Sequence, residues 1–273
     1  MAGKTLPPRP VVLCTNDDGL HARGLQALVA ALTPLAEVYV VAPETEQSAS
    51  SHAITLARPL RLRPVRERVW ALDGTPVDCV YVALHHTSLL PGRPSVVVSG
   101  INHGPNLGGD VFYSGTVAGA REGALRGIAS VAFSMPSGAD PEALAPVAAA
   151  MAMALASAPG APLVNVNFPK GERLGTRVTR LGPRLYEDLV EVRLDPRGRG
   201  YLWIGGPKVT NVRTKGTDTA AYEHGLVSVT PLRLDLTEES PATQRRARAV
   251  ALAGRSSARG EDAVRSGRAR KGK

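Results

Sequence analysis

The chain has 273 residues, 43% apolar and only 4% aromatic, which suits one large α/β domain, with or without an extension, built on a core of mostly Ala, Val and Leu. Its two cysteines, Cys14 and Cys79, exclude a disulfide framework, and no Cys/His cluster has zinc spacing. The net charge of +9 is unevenly placed: residues 241–273 hold ten basic residues against Glu261 and Asp262, so eight of the nine charges lie there and residues 1–240 carry one.

The opening segment Met1–Pro8 lacks the apolar run of a signal peptide. The longest apolar helix candidate, 148–158, is too short to span a bilayer. A soluble, cytoplasmic protein is expected.

Val11 to Cys14 reads as a buried parallel strand. It runs into Thr15-Asn16-Asp17-Asp18-Gly19, and then into a helix marked by Leu25, Leu28, Val29 and Leu32. Asp17 and Asp18 therefore sit at the carboxyl end of a strand, where open α/β sheets bind ligands. Gly19 permits backbone angles that bring both acids to one site. Two acids held together repel, so a bound cation or a basic partner is expected. A solvated turn that caps the helix is the competing reading.

Glu37 to Pro43 is the second strand, followed by a polar loop, 44–52, with Ser48, Ser50 and Ser51. Such a loop suits ligand contacts, although a surface loop would look alike. Alternating apolar and basic residues between 54 and 72 predict a half-exposed hairpin. Thr75 then caps a helix with Pro76 in its first turn, ending near His86. His85 and His86 are assigned no catalytic role.

Ser95 to Gly100 is the next buried strand, and it empties into the Gly-rich segment 101–110. That segment lacks both the Lys-Ser/Thr ending of a P-loop and the spacing of a dinucleotide fingerprint. It offers neutral oxygen ligands, the amides of Asn102 and Asn106. His103 reads as a packed loop residue rather than an acid/base group, since no partner is visible. Ser114, Gly115 and Thr116 precede a helix over 117–126 and form an anion site of free N–H groups, positive dipole end and two hydroxyls. An ordinary Ser/Thr cap competes with that reading.

A strand at 129–134, a helix at 141–156 and a strand at 163–169 complete a strand–loop–helix order. It implies an α/β fold, a mostly parallel sheet with helices on both faces. Beyond Gly171 the pattern changes to hairpins: a strand near 177–181, a pair at 189–194 and 201–204, a short helix near Ala220 and a strand at 226–232. These are read as lids or subunit contacts. The expected division is a Rossmann-like catalytic core over 1–170, a hairpin portion over 171–240 completing the same domain, and the basic tail. That tail is read as solubilising and disordered or transiently helical. Nucleic-acid contact is the less favoured alternative.

The polar residues at the proposed strand ends supply hard oxygen ligands only, which selects Mg²⁺, Mn²⁺ or Ca²⁺ over zinc or copper. An anion site beside such a cation suggests a phosphoryl substrate.

Several motifs in one order make the chain resemble the SurE family, the survival proteins that act as metal-dependent 5′/3′-nucleotidases. They are Thr15-Asn16-Asp17-Asp18-Gly19, Val41-Ala42-Pro43 with Ser48, Gly74-Thr75-Pro76-Val77-Asp78, Ser99-Gly100-Ile101-Asn102-His103-Gly104-Pro105-Asn106, Tyr113-Ser114-Gly115-Thr116, Gly216-Thr217-Asp218 and Ser228-Val229-Thr230-Pro231. The resemblance covers most of 11–237. It implies a Rossmann-like three-layer core, a homodimer or homotetramer whose late hairpins and C-terminal arm exchange, and one divalent cation, Mg²⁺ or Mn²⁺, per active site. The implied metal ligands are Asp17, Asp18, Ser48 and Asn102; Asn106, Ser114, Gly115 and Thr116 match phosphate-holding segments. The implied activity is phosphate release from nucleoside monophosphates, with polyphosphate as a further substrate of some members. Ser95 stands where an acid is usual in the family, and nothing carries over to the tail.

The mechanism expected from this is attack by a metal-activated water, with Asp18 or Asp17 accepting its proton. Asp17 as a covalent nucleophile is the rival. The non-enzymatic alternative is a metal-dependent nucleotide sensor with a polyanion-binding tail.

Overall fold

The structure, a computed structural model, describes residues 9–171, 175–187, 189–205 and 209–251. The expectations for Met1–Pro8 and for the tail beyond 251 lie outside the described residues.

The first apolar runs become β1 (Val11–Thr15) and β2 (Glu37–Pro43), joined by α1 (Arg23–Leu32). The alternating segment forms β3 (Leu62–Arg66) and β4 (Val69–Leu72). Then come α2 (Pro76–His85), β5 (Val96–His103), a 3-10 turn (Gly108–Phe112), α3 (Gly115–Leu125), β6 (Ser130–Met135), α4 (Pro141–Ala156) and β7 (Leu163–Asn167). The later elements are β8 (Gly175–Val178), β9 (Arg184–Tyr186), β10 (Leu189–Leu194), β11 (Gly200–Gly205), β12 (Val209–Asn211), α5 (Asp218–Glu223) and β13 (Leu226–Leu232).

The main sheet runs β3-β4-β2-β1-β5-β6-β7-β13-β8. From β4 to β7 every pairing is parallel. The antiparallel pairings are β3 on β4 and β13 on β7. The chain leaves β1 toward β2 on one side and later returns to β5 on the other. The crevice at the carboxyl ends of β1 and β5 is thus the topological switch point, where ligands bind in such sheets.

Side chains alternate across the sheet as period-two geometry requires. Val12 and Cys14 face a core shared with Leu25 and Leu28 of α1 and Ala148 of α4. Leu13 faces the opposite core with Cys79 and Val80 of α2. This is a three-layer α/β/α arrangement. Cys14 is fully buried, and burial pushes its thiol up to about 12, so it acts as a small hydrophobe.

Two boundaries differ from expectation in ways that bear on the site. The third helix starts at Gly115, not 117, because the Ser114 hydroxyl caps it by accepting the Val117 N–H at 3.1 Å. β5 runs on to His103, and its pairing with β6 slips between Ser99 and Asn102. Such an irregularity re-aims the side chains beyond it, here Asn102. The α2 start matches expectation and is a full capping box: Asp78 N–H donates to Thr75 Oγ1 and Thr75 N–H to Asp78 Oδ2.

The first compact unit ends at Leu234, and the described residues 235–251 lie in a second. Within the latter, 241–251 is helical and mostly exposed. Its Ala, Arg and Gln residues are good helix formers. No helix among the described residues is long and apolar enough to cross a membrane.

Candidate active site

β1 ends at Thr15, so Asp17 and Asp18 follow outside the ladder. Asn16 makes the turn itself, its Nδ2 donating to the Gly19 carbonyl at 2.8 Å, and Gly19 has φ 95°. α1 begins after Ala22 with no side-chain cap, so neither aspartate caps it. Both line one cavity of about 810 Å³. The solvated helix-cap reading is thereby set aside.

Asp17 is buried and accepts the Thr116 hydroxyl at 2.5 Å. Asp18 accepts the His103 backbone N–H at 3.1 Å. Burial, reinforced by the Asp18 charge and opposed by the Thr116 hydroxyl, pushes Asp17 up to about 6. Burial also raises Asp18, against the His103 N–H, and the Glu46 charge adds to the rise. No lysine or arginine forms an ion pair with Asp17, Asp18 or Glu46 among the described residues.

Ser48 and Asn102 line the same cavity. Ser48 donates to Glu46 at 2.5 Å, and Asn102 donates to the Gly104 carbonyl at 2.7 Å, with its Oδ1 making no hydrogen bond among the described residues. The 44–52 loop is pinned, not loose. Gln47 N–H reaches the Asp17 carbonyl at 2.7 Å, and Ser51 holds the Tyr113 and Phe112 carbonyls at 3.0 and 2.6 Å. His52 meets the buried Glu122 of α3 at 3.1 Å. Ala49 and Ser51 have φ of 56° and 52°, left-handed conformations that cost non-glycine residues energy and that the surrounding hydrogen bonds hold in place.

The phosphate candidates divide. Ser114 and Asn106 face the cavity. Ser114 Oγ accepts from Val117, so its own hydrogen is free to point outward. The Thr116 hydroxyl is instead spent on Asp17. Gly115 is buried at the start of α3, where a Cβ would lie 2.8 Å from Ser50 Oγ and 3.0 Å from Asp17 Oδ2. A side chain there would fill the space between helix start and aspartate. Asn106 is fixed by a buried amide network, with Nδ2 donating to Ser134 at 2.8 Å and its N–H to Asn167 Oδ1 at 2.7 Å.

The donor set fits a hard divalent cation. It has two desolvated carboxylates without a lysine or arginine partner among the described residues, the Asn102 Oδ1 and a serine oxygen. Buried Asn16 Oδ1 and Ser50 Oγ nearby also lack partners. Among the described residues no three His, Cys, Asp or Glu side chains gather as a ligand cluster, so neutral oxygens would have to complete the shell. His103 is exposed and lines the cavity beside Asp18, and its Nε2 accepts the Gly138 N–H at 3.0 Å.

Sequence reasoning assigned the late hairpins to lids or subunit contacts but named none of their residues in the site. Arg184, Tyr186 and Ile204 line the cavity beside Asp110. Arg184 pairs with Asp110 Oδ2, and the Tyr186 hydroxyl donates to Asp110 Oδ1. Behind them Asp218 accepts the Gly108 N–H at 2.8 Å and the Gly182 N–H at 2.7 Å. These contacts span 36 to 110 residues, and no local pattern signals them.

A family model described as Survival protein SurE matches residues 12–188. The chain is similar to a protein named 5′-nucleotidase SurE from Sorangium cellulosum (strain So ce56), 54% identical over 235 residues and covering 84% of this chain and 91% of the relative. A protein of the same name from Myxococcus xanthus (strain DK1622) is 50% identical, over 83% and 88% of the two chains. Among solved structures, the crystal structure of SurE protein from Aquifex aeolicus aligns with a TM-score of 0.74 at 40% identity, covering 84% of this chain and 95% of that one.

Proposed function

The chain belongs to the SurE family, and from that premise we propose that it is a divalent-metal-dependent nucleotidase releasing phosphate from nucleoside 5′-monophosphates. The observation that carries this is the convergence of Asp17, Asp18, Ser48, Asn102 and the start of α3 on one cavity at the switch point. The names of the relatives, 5′-nucleotidase, support the substrate class.

Asp17, Asp18, Ser48 and Asn102 would hold the cation, Mg²⁺ or Mn²⁺. When bound, that cation supplies Lewis acidity, drawing charge from a phosphoryl oxygen and lowering the pKa of a coordinated water. The Gly115 N–H at the start of α3 and the Ser114 hydroxyl hold the phosphoryl oxygens and oppose the charge that develops on them. Asn106, immobilised by Asn167 and Ser134, adds an amide beside them. Thr116 fixes Asp17. Asp18 is the less buried acid, and its Oδ1, with Oδ2 taken by the His103 N–H, accepts the proton of the attacking water. The water oxygen bonds to phosphorus as the ester P–O bond breaks, and the proton taken up by Asp18 passes to the departing nucleoside oxygen, which restores the carboxylate.

A phosphate-release panel over nucleoside 5′- and 3′-monophosphates and polyphosphate, with Mg²⁺, Mn²⁺ and chelator, tests this. Metal-dependent release from 5′-monophosphates is expected, and Asp18→Asn should lower it by about 10²–10⁴-fold. The 3′ and polyphosphate arms decide the breadth of the activity. Nucleotide binding without phosphate release would replace the enzyme by a sensor.

We also assign the exposed face of β10 and β11 to a second copy of the chain. Val190, Val192, Leu194 and Leu202 share one face and are 56–70% exposed on an isolated two-stranded ladder, which is marginal on its own. Sedimentation showing only monomer at micromolar concentration would refute the homo-oligomer.

A further inference from the structure

The cavity has two chemically different ends. The acids, Asn102 and the start of α3 serve a metal and a phosphoryl group. The other wall carries Tyr113, Tyr186 and Ile204, which are 71%, 48% and 89% exposed and belong to none of the core clusters. We propose that this wall is a nucleoside subsite, in which the base lies against the Tyr186 and Tyr113 rings and Ile204 and is held by stacking and shape. The inference rests on the nucleotidase reading and deepens it by naming residues that select a nucleotide over a smaller phosphate ester.

Two features support it. The first is capacity: about 810 Å³ is far more than a phosphoryl group and a cation require, and lies within the range of pockets that enclose whole small ligands. The second is rigidity. The Asp110 carbonyl accepts the N–H groups of Tyr113 and Ser114, both at 2.9 Å, while its carboxylate holds Arg184 and the Tyr186 hydroxyl. One residue thus sets the distance from the phosphate-holding Ser114 to the aromatic wall, and a preformed wall costs little to order on binding. Arg184 also lies over one face of the Tyr186 ring, 5.6 Å from its centroid, which leaves one face for a base.

The test compares kcat/KM for adenosine 5′-monophosphate and ribose 5-phosphate in the wild-type protein, Tyr186→Ala and Tyr186→Phe, and measures adenosine binding by equilibrium dialysis. Tyr186→Ala should lower the nucleotide-to-ribose-phosphate ratio by about tenfold and weaken adenosine binding by a similar factor. Tyr186→Phe, which keeps the ring, should retain most of both. A parallel fall for both esters in Tyr186→Ala, or an unchanged ratio and unchanged adenosine binding, would overturn the subsite. Adenosine binding that needs Tyr186 in a protein that hydrolyses neither ester would instead overturn the catalytic reading and leave the subsite standing.

Discussion

Asp17→Asn is expected to make the metal-free protein more stable while abolishing phosphate release. The argument is electrostatic. Asp17 is 5% exposed, lies beside the Asp18 charge and has no cationic partner, and its pKa stands near 6 against an ordinary 3.8. A carboxylate whose folded pKa is raised favours folding while protonated. That contribution is complete below about pH 4 and is lost as pH rises through 6. At neutral pH the charged form therefore costs about 3 kcal/mol. Asparagine is nearly isosteric, keeps an acceptor for the Thr116 hydroxyl and carries no charge. Melting in chelator should show wild-type stability falling between pH 4 and 7, and the Asp17→Asn protein should lose most of that fall. At pH 7.5 the variant should melt several degrees higher. Adding Mn²⁺ should reverse the order, because the wild-type site gains an ion that stabilises by mass action and the variant site loses half its carboxylate charge. An unchanged or lower melting temperature for Asp17→Asn in chelator would show that the pair carries no stored repulsion.

The same pair shows how far local sequence reasoning reaches. The apolar runs of β1, β2, β5, β6 and β7 and the amphipathic α1 are visible because burial on known faces imposes its own spacing. The site segments were visible as polar, Gly-rich stretches directly after those strands. Whether Asn16-Asp17-Asp18-Gly19 capped a helix or faced a ligand was open, because both readings use the same residue types. The fold separates them: Asn16 takes the turn, and the aspartates are left for the cavity. Thr116 looked like a phosphate donor on the helix start, and its hydroxyl instead serves Asp17, a contact across 99 residues. Arg184 and Tyr186 were illegible for a stronger reason. They sit in short exposed strands with no periodic signal, and they gain meaning only when Asp218 draws Gly182 against Gly108.

That junction carries the second large effect. Asp218→Ala should destabilise the protein by about 3–5 kcal/mol and raise KM for nucleotide more than it lowers kcat. Asp218 is fully buried and accepts three backbone N–H groups, from Gly108, Gly182 and Thr219. Alanine leaves all three without an acceptor in a place water cannot reach, at about 1–3 kcal/mol for each orphaned donor. An opposing term exists: burial raises the Asp218 pKa, so removing the carboxylate relieves some desolvation. The orphaned donors outweigh it, because the space cannot relax. A Cβ on Gly108 would lie 2.1 Å from the Gly182 carbonyl, so the two segments are already in backbone contact. Two residues beyond each glycine stand Asp110 and Arg184, the pair that anchors the aromatic wall. Loosening the junction should therefore loosen the wall, which acts in binding, and spare the acids, which act in the chemical step. A double-mutant cycle with Arg184→Ala isolates the link. Coupling of about 1 kcal/mol or more in KM-derived energies is expected, whereas strict additivity would mean that Asp218 supports the fold without positioning the site.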